Sequence, residues 1–542
     1  MTASMRYSGA MKHTLVLLLV SLLTLGACGG GVDRAAQESV LHRGLGEEPG
    51  SLDVHKSRSS EAGHVLRDLG EGLTGYTRDG EIRAAAADHW TVSDDGLEYV
   101  FVLRPDARWT NGDPVTADDF VYSFRRLVDP TTAAFYENSV IDVASAAEII
   151  AGEESPESLG IEAMAVDQLR ITLRQPVPYF LGLLTHPSTF PVHRGSIEAH
   201  GEAHSRPGNL VSNGAYRLVA WEVGSYIEIE RNEYYWDAGN TAIDRVFHYV
   251  TPEPMAELNR YRAGELDITR AIPPESFKQM LETRPDEVRV SPALGVYYYG
   301  FNMTNPVFGD NPKLREALSM AIDREQLVAI VGRGEAPAYS WVPDGTANYE
   351  PQKYSWADMP PEERITKAQQ LFFEAGFGPG KTFRPEIRYN THDTHRQIAV
   401  AVQSMWKEVL GVEAKLINEE FQVMLENIVQ KNSIDIFRMN WNGDYNDAHT
   451  FLSTAESDNP SNLTGYRSAD FDSLMQRAAR QTDPSRRRLY LEEAEDRMLR
   501  DYPLIPMYFF VNKAMVAPRV KGWGDNVLNY HYSQHLSLAA DE

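Results

Sequence analysis

A single cysteine, Cys28, stands in the 542 residues, which excludes an intramolecular disulfide and any fold held together by several. The chain contains no G-x-S-x-G elbow and no H-E-x-x-H helix, so the usual serine-hydrolase and zinc-peptidase signatures are missing. The nearest approach to metal-ligand spacing is His193, His200 and His204, but Gly201, Arg206, Pro207 and Gly208 around them suggest an exposed loop. His392 and His395 are close in sequence, with no further ligand type beside them. No metal or other cofactor is expected. Positive charge is also short: 52 Lys and Arg face 77 Asp and Glu, a formal net charge of −25, which argues against a nucleic-acid partner. Internal repeats and low-complexity segments are absent, and the composition is that of an ordinary globular protein.

Long apolar runs are confined to 15–25, shorter than the ~20 residues a spanning helix needs. Lys12 and His13 precede this run, as in a secretory signal. It closes on Leu25-Gly26-Ala27-Cys28, which resembles the bacterial lipobox, in which the cysteine is lipidated and becomes the mature N-terminus. The expectation is a signal peptide over 1–27, starting in effect at Met11, and a lipid-anchored tether over 28–40 beginning Gly29-Gly30-Gly31. That places the protein in the periplasm or cell envelope, held to a membrane through its lipid, with Cys28 unavailable as a nucleophile.

The two halves of the rest differ in pattern. The first is rich in hairpins: Asp94-Asp95-Gly96 precedes a strand over 97–103, a strand falls at 169–173, and the strands 215–221 and 226–231 pair across Gly224-Ser225. Thr116-Ala117-Asp118-Asp119 reads as a capping box that opens a helix with Phe120, Phe124 and Leu127 on one face, ended by Asp129-Pro130. Gly70-Glu71-Gly72-Leu73-Thr74-Gly75 matches G-x-G-x-x-G, but a helix-like run precedes it and a turn follows, the reverse of a dinucleotide site. The second half alternates helices and strands. Helices begin at Pro312, with Leu314, Ala317, Leu318, Ala321 and Ile322 as an apolar stripe, and at Pro361; a third carries Ile398, Val402, Met405, Trp406 and Val409. A strand over 412–417 and a helix with Phe421, Leu425 and Ile428 follow, which predicts βαβ units. Two aromatic stretches, Val296-Tyr297-Tyr298-Tyr299 and Tyr508-Phe509-Phe510-Val511, read either as core strands or as crossovers between lobes.

The stretch 434–447 stands out as a candidate site. It alternates as a strand up to Trp441 and then breaks into a turn with Gly443 and Asp444, at the strand end where α/β sheets bind ligands. Trp441 and Asp444 together suit a ligand ammonium, the ring covering the adjacent apolar part. A carboxylate before a helix is also what a cap looks like, although Asp447 is the better placed cap. Arg438 has the opposite parity from Trp441 and faces the other side of a regular strand, to meet an anion or to pair with a carboxylate such as Asp435.

Several longer stretches carry a family likeness. They are Asn209-Leu210-Val211-Ser212-Asn213-Gly214-Ala215-Tyr216, Glu228-Ile229-Glu230-Arg231-Asn232 with Tyr235-Trp236, the run from Trp109 to Ser123, Pro176 to Phe180, Asn259 to Asp267, and Pro506-Met507-Tyr508. Together they resemble the peptide/nickel/dipeptide class of extracellular solute-binding proteins, over essentially the whole mature chain and nearest its oligopeptide branch. The resemblance implies a mixed α/β, two-lobed periplasmic-binding-protein fold with an extra subdomain and two hinge crossovers. Lobe I would comprise 41–71, 196–295 and 512–542, the extra subdomain 72–195, and lobe II 296–511. It further implies a monomer without enzymatic activity that captures peptides of a few residues and hands them to the permease of an ATP-binding-cassette importer.

By the same resemblance Asp444 holds the peptide α-ammonium, while Ser60, Asn440, Trp441, Asn442 and Gly443 pair with or line the peptide, by strand-like main-chain recognition. Tyr136 matches a second cleft aromatic, and Arg438 and His395 match residues that hold the peptide carboxylate. A family glutamate appears as Arg58, a family arginine falls at Val429 with Lys431 as its nearby substitute, and cysteines that bridge some relatives fall at about Gly295 and Asn442. Preferred peptide length and charge are therefore open. A murein peptide, a dipeptide or a chelated metal are the alternative ligands, and a periplasmic peptidase is the remote alternative.

Overall fold

The structure, a computed structural model, describes residues 38–378, 380–432 and 434–539. Cys28, the lipobox, the signal segment and the tether up to residue 37 lie outside the described residues. Among the described residues no helix is long and apolar enough to cross a membrane.

The first half holds two four-stranded sheets. One runs Val40–Gly46, Arg245–Val250, Tyr226–Arg231, Tyr216–Glu222 in spatial order, the first pair parallel and the rest antiparallel. The other runs Ala87–Val92, Glu98–Leu103, Gln168–Thr172, Ile161–Ala165, all antiparallel, and the helix Ala117–Val128 packs Phe120, Phe124 and Leu127 into the core beside it. That helix starts where Thr116 predicts it: both the amide and the hydroxyl of Thr116 donate to Asp119 Oδ2, at 2.8 and 2.9 Å.

The glycine run 70–75 is a helix end and a strand start. Gly70 closes the helix Ser60–Leu69 by donating its N–H to Leu66 O, and the strand Thr74–Tyr76 follows. Asn213 and Gly214 of the family-like stretch 209–216 dock on this junction. The Asn213 amide accepts from Glu71 N at 3.0 Å and donates to Glu71 O at 2.8 Å. Gly214 N donates to Leu69 O at 2.9 Å, and a Cβ on Gly214 would lie 2.5 Å from the Leu69 carbonyl carbon, so only glycine fits.

In the second half a six-stranded sheet separates two cores. Its order is Ala336–Pro337, Leu504–Met515, Val288–Phe301, Ile436–Asn442, Glu386–Asn390, Lys415–Glu419. Alternation sorts the aromatic stretch 296–299: Val296 and Tyr298 join Phe437 on one face, Tyr297 and Tyr299 join Ile436 on the other. Both faces are covered, so Ile436, Phe437 and Arg438 are all buried and the polar–apolar alternation of the sequence does not divide inside from outside there. Glu386–Asn390 is parallel to both its neighbours, with the helices Asp393–Leu410 and Phe421–Val429 as the connections, which gives the predicted βαβ units.

Two expectations shift. The strand read at 412–417 starts only at Lys415, because Val412 and Ala414 turn inward to fill the core before pairing begins. The helix 421–429 buries Met424 and Ile428, whereas Phe421 is exposed.

The two long central strands Val288–Phe301 and Leu504–Met515 are paired with each other and continue beyond the sheet. At their far end Ile268 bridges Val516 on one side and Arg43 on the other, and Ala514 and Val516 enter the core built around Leu41 and Leu45. The aromatic stretches are thus both core strands and the routes along which the chain passes between the two halves.

Candidate functional site

At the end of Ile436–Asn442 the turn is fixed by its backbone. Gly443 N donates to Leu294 O at 2.8 Å, and a Cβ there would meet Thr450 Cγ2 at 3.0 Å and the Phe451 ring at 3.1 Å. Asp444 N donates to Thr450 Oγ1 at 3.3 Å. Asp447 is consumed: Arg487 donates to its two oxygens at 2.7 and 2.8 Å, and Oδ1 accepts the amide of His449 at 2.9 Å. Among the described residues no donor reaches the Asp444 carboxylate. Its side chain is exposed at the rim, yet burial by the surrounding protein raises its carboxyl above the ordinary carboxylate value. Trp441 is half-buried against the core that contains Leu294 and Phe451, with its Nε1 sequestered and without a partner among the described residues. Asn442 is exposed opposite Gly295, its register partner, and a Cβ on Gly295 would lie 2.7 Å from Asn442 Oδ1. Gly295 and Asn442 are therefore directly cross-strand.

Arg438 lies on the other face, as its parity requires. Only 5 % exposed, it donates to Asn390 Oδ1 and to Asn440 Oδ1, both at 3.0 Å, and its guanidinium sits 4.5 Å from the centre of the Tyr297 ring. Among the described residues it meets no carboxylate and its Nε has no partner. His395 stands beside it, its Nδ1 3.3 Å from Tyr297 Oη and its ring tilted against that of His392 at 4.7 Å. Burial, and then the charge of Arg438, of His392 and of Arg333, hold the His395 imidazole down to about 3. Among the described residues no carboxylate forms an ion pair with Arg438 or His395. Asp435, the alternative partner, instead accepts from Asn305 and from Glu386 N.

Ser60 and Tyr136 come together on a different wall. Both line a cavity of about 360 Å³ with His186, Asn512 and Tyr530. Tyr136 packs edge-on against His186 at 4.6 Å and Phe135 at 4.9 Å, and Arg58, exposed, lies 5.1 Å from the Phe135 ring centre. Lys431 is not brought to either group. It sits before the opposite end of Ile436–Asn442, where its ammonium donates to Leu463 O beside Thr304, and Val429 is exposed at the end of its helix. His193 caps a helix by accepting from Ser196 N, and His204 turns to Gly201 O and towards Asp53. Among the described residues no three metal-ligating side chains converge.

Residues 81–462 match the family model of the bacterial extracellular solute-binding proteins, family 5 Middle. The chain belongs to that family. It is 37% identical over 511 residues to the periplasmic oligopeptide-binding protein OppA of Escherichia coli, covering 93% of each chain. The unliganded open form of the periplasmic murein tripeptide-binding protein MppA superposes with a TM-score of 0.90 at 34% identity, covering 93% of this chain and 98% of that one. Haemophilus influenzae OppA in complex with RPPGFSPFR gives 0.66 at 33% identity, covering 93% and 99%. The fold is two-lobed and superposes more closely on the open, unliganded relative than on the peptide complex.

Other residues of the two walls escape a reading of the sequence. Arg333 contributes to the field at His395 from across the sheet, and Tyr445 stacks on Tyr179 at 4.3 Å while sharing its hydroxyl with His449 Nδ1 at 2.8 Å. Arg67 and Arg270 line the cavity with Ser60. No spacing rule joins residues so far apart in sequence; only the aromatic character of Tyr445, next to Asp444, marked that turn.

Proposed function

We propose that this chain is a substrate-binding protein that captures short peptides between its two lobes and passes them to the membrane permease of an ATP-binding-cassette importer. The supporting observation is the contrast within one turn: Asp447 is fully engaged by Arg487, while the Asp444 carboxylate, beside Trp441, is left without a partner among the described residues. A peptide α-ammonium supplies that partner, with the indole covering the first side chain. The corner formed by the Arg438 guanidinium, with the neutral His395 beside it, takes the peptide carboxylate. The main chain between runs along 440–443 by strand-like pairing, and Ser60 and Tyr136 close from the opposite wall. Strand residues advance ~3.3 Å each, so the distance from the turn to Arg438 suits peptides of about three to five residues. Lys431 has no part in this reading. The relatives' printed names, oligopeptide- and murein tripeptide-binding protein, support the ligand class. Lobe I would comprise 41–71, 196–295 and 512–542 with the subdomain 72–195, lobe II 296–511, and closure would follow the two paired crossover strands. The protein works as a monomer without chemistry, tethered to the membrane by lipid on Cys28.

Native mass spectrometry of protein purified without denaturation should release a mixed set of copurified peptides. Calorimetry should then show that a tripeptide binds and its N-acetylated form does not. Equal affinity for the two forms overturns the role of Asp444, and a single non-peptide ligand overturns the proposal. Palmitate labelling of the full chain, lost in Cys28→Ser, tests the anchor.

A further inference from the structure

The cavity that Ser60 and Tyr136 share is lined by two arginines and by no acidic residue. Arg67 comes from the last turn of Ser60–Leu69 and is only 7 % exposed. Its guanidinium folds back over Gly63, where a Cβ would lie 2.9 Å from Nη1, and rests 3.6 Å from the centre of the Tyr530 ring. Glycine one turn earlier is therefore what lets the charge reach the cavity instead of solvent. Arg270 enters from the far side of the helix and donates to Ser60 Oγ at 3.4 Å. The Nε atoms of both are sequestered and have no partner among the described residues, and neither guanidinium forms an ion pair there.

Among the described residues the nearest carboxylates form no ion pair with either guanidinium. Glu257 accepts the backbone amide of Arg270, and Glu61 accepts the Ser60 hydroxyl. Asp68, one position after Arg67, faces away and is held by Ser533, His248 and Arg43. The histidines nearby carry the imprint of this excess: burial, then Arg270 and Arg67, keep His64 neutral, and burial, then Arg67, take His186 down to about 3. A buried guanidinium such as that of Arg67 is costly without an anion, and with the half-buried Arg270 facing the same cavity the pair can receive one.

We infer that this cavity receives a carboxylate side chain of the bound peptide, held between Arg67 and Arg270, so that the protein prefers acidic peptides. The inference rests on the peptide-binding reading above and adds ligand selectivity to it. It also shows how a chain of strongly negative net charge can take an acidic ligand: the local field overrules the global sign.

The test is calorimetry on the folded protein with tripeptides of alanine carrying Glu or Gln at each position in turn. At one position Glu should bind roughly tenfold to a hundredfold more tightly than Gln, the gain from one or two charge-assisted hydrogen bonds. Arg270→Gln should abolish that preference while leaving the Gln peptide within about twofold of its parent affinity. Arg67→Gln, checked for an unchanged unfolding midpoint, should do the same. Equal binding of Glu and Gln peptides at every position overturns this inference alone. So does a preference that disappears on C-terminal amidation but ignores Glu→Gln, because the anion is then the peptide terminus. Absence of binding by every peptide overturns the peptide-binding reading and this inference with it.

Discussion

The interior of the α/β half and the rim of its sheet treat buried charge in opposite ways. In the interior, Arg324 and Glu495 have their charges fully engaged. Arg324, fully buried, donates to Ala338 O at 2.7 Å, Pro506 O at 2.9 Å and Ser319 O and Oγ, both at 3.1 Å. Glu495, equally buried, accepts from Trp341 N, Val342 N, Gln352 N and Tyr349 Oη. At the rim, among the described residues, Asp444 lacks a donor and Arg438 hydrogen-bonds to two neutral amides and meets no carboxylate. A buried polar group normally finds its partner within the fold, so groups that do not are the ones for which a ligand is the missing partner. The cavity arginines Arg67 and Arg270 follow the rim's rule, not the interior's.

Breaking an interior pair should therefore cost stability, and breaking a rim group should cost affinity. Arg487→Leu strands Asp447 as an uncompensated buried charge and should lower unfolding free energy by roughly 3–5 kcal/mol in a urea titration. Asp444→Ala, three residues away, should leave stability within about 0.5 kcal/mol. It should weaken tripeptide binding by about a hundredfold or more, as expected when one member of a charge-assisted pair is removed. If Asp444→Ala instead unfolds the protein while binding survives in what remains folded, the distinction between rim and interior fails. Arg438→Gln should come next, with roughly a tenfold loss for a short peptide and almost none for its C-terminal amide. Equal losses for acid and amide would mean that Arg438 only braces Asn390 and Asn440.

Much of this contrast is legible in the sequence, and the reason lies in local geometry. Parity along a strand separates Arg438 from Trp441, and helix-start chemistry assigns the cap to Asp447 and leaves Asp444 over; both follow from rules that act within a few residues. The helices at Pro312 and Pro361 and the capping box at Thr116 are legible for the same reason. What escapes is set by packing between distant segments. Lys431 is close to Arg438 along the chain, but the strand carries it to the opposite end of the sheet, onto Leu463. Val412 alternates like a strand residue, yet the core claims it first. Arg67 and Arg270 are each unremarkable, one in a helix's last turn and one just beyond a family-like stretch, and only the fold sets them around one cavity.

The smallest effect sharpens the contrast most finely, because it reads the charge of Asp444 without removing the side chain. Burial raises this carboxyl above the ordinary value, which is ~3.9 for an aspartate. Only the ionised form pairs with an ammonium, so the complex binds fewer protons at this site than the free protein. Affinity must then fall as pH drops through the raised value, by up to about tenfold per unit below it. The fall should begin while the peptide's own carboxylate, with a pKa of ~3.5, is still ionised, which separates the ammonium end from the Arg438 end. Calorimetry from neutral pH down to about that value should show the parent protein weakening, whereas Asp444→Asn should bind weakly and with a flat profile throughout. An interior carboxylate such as Asp447, tied to Arg487 whether or not a peptide is bound, contributes nothing to that slope. A profile equally steep in Asp444→Asn would place the titrating group elsewhere and leave Asp444 an ordinary surface aspartate.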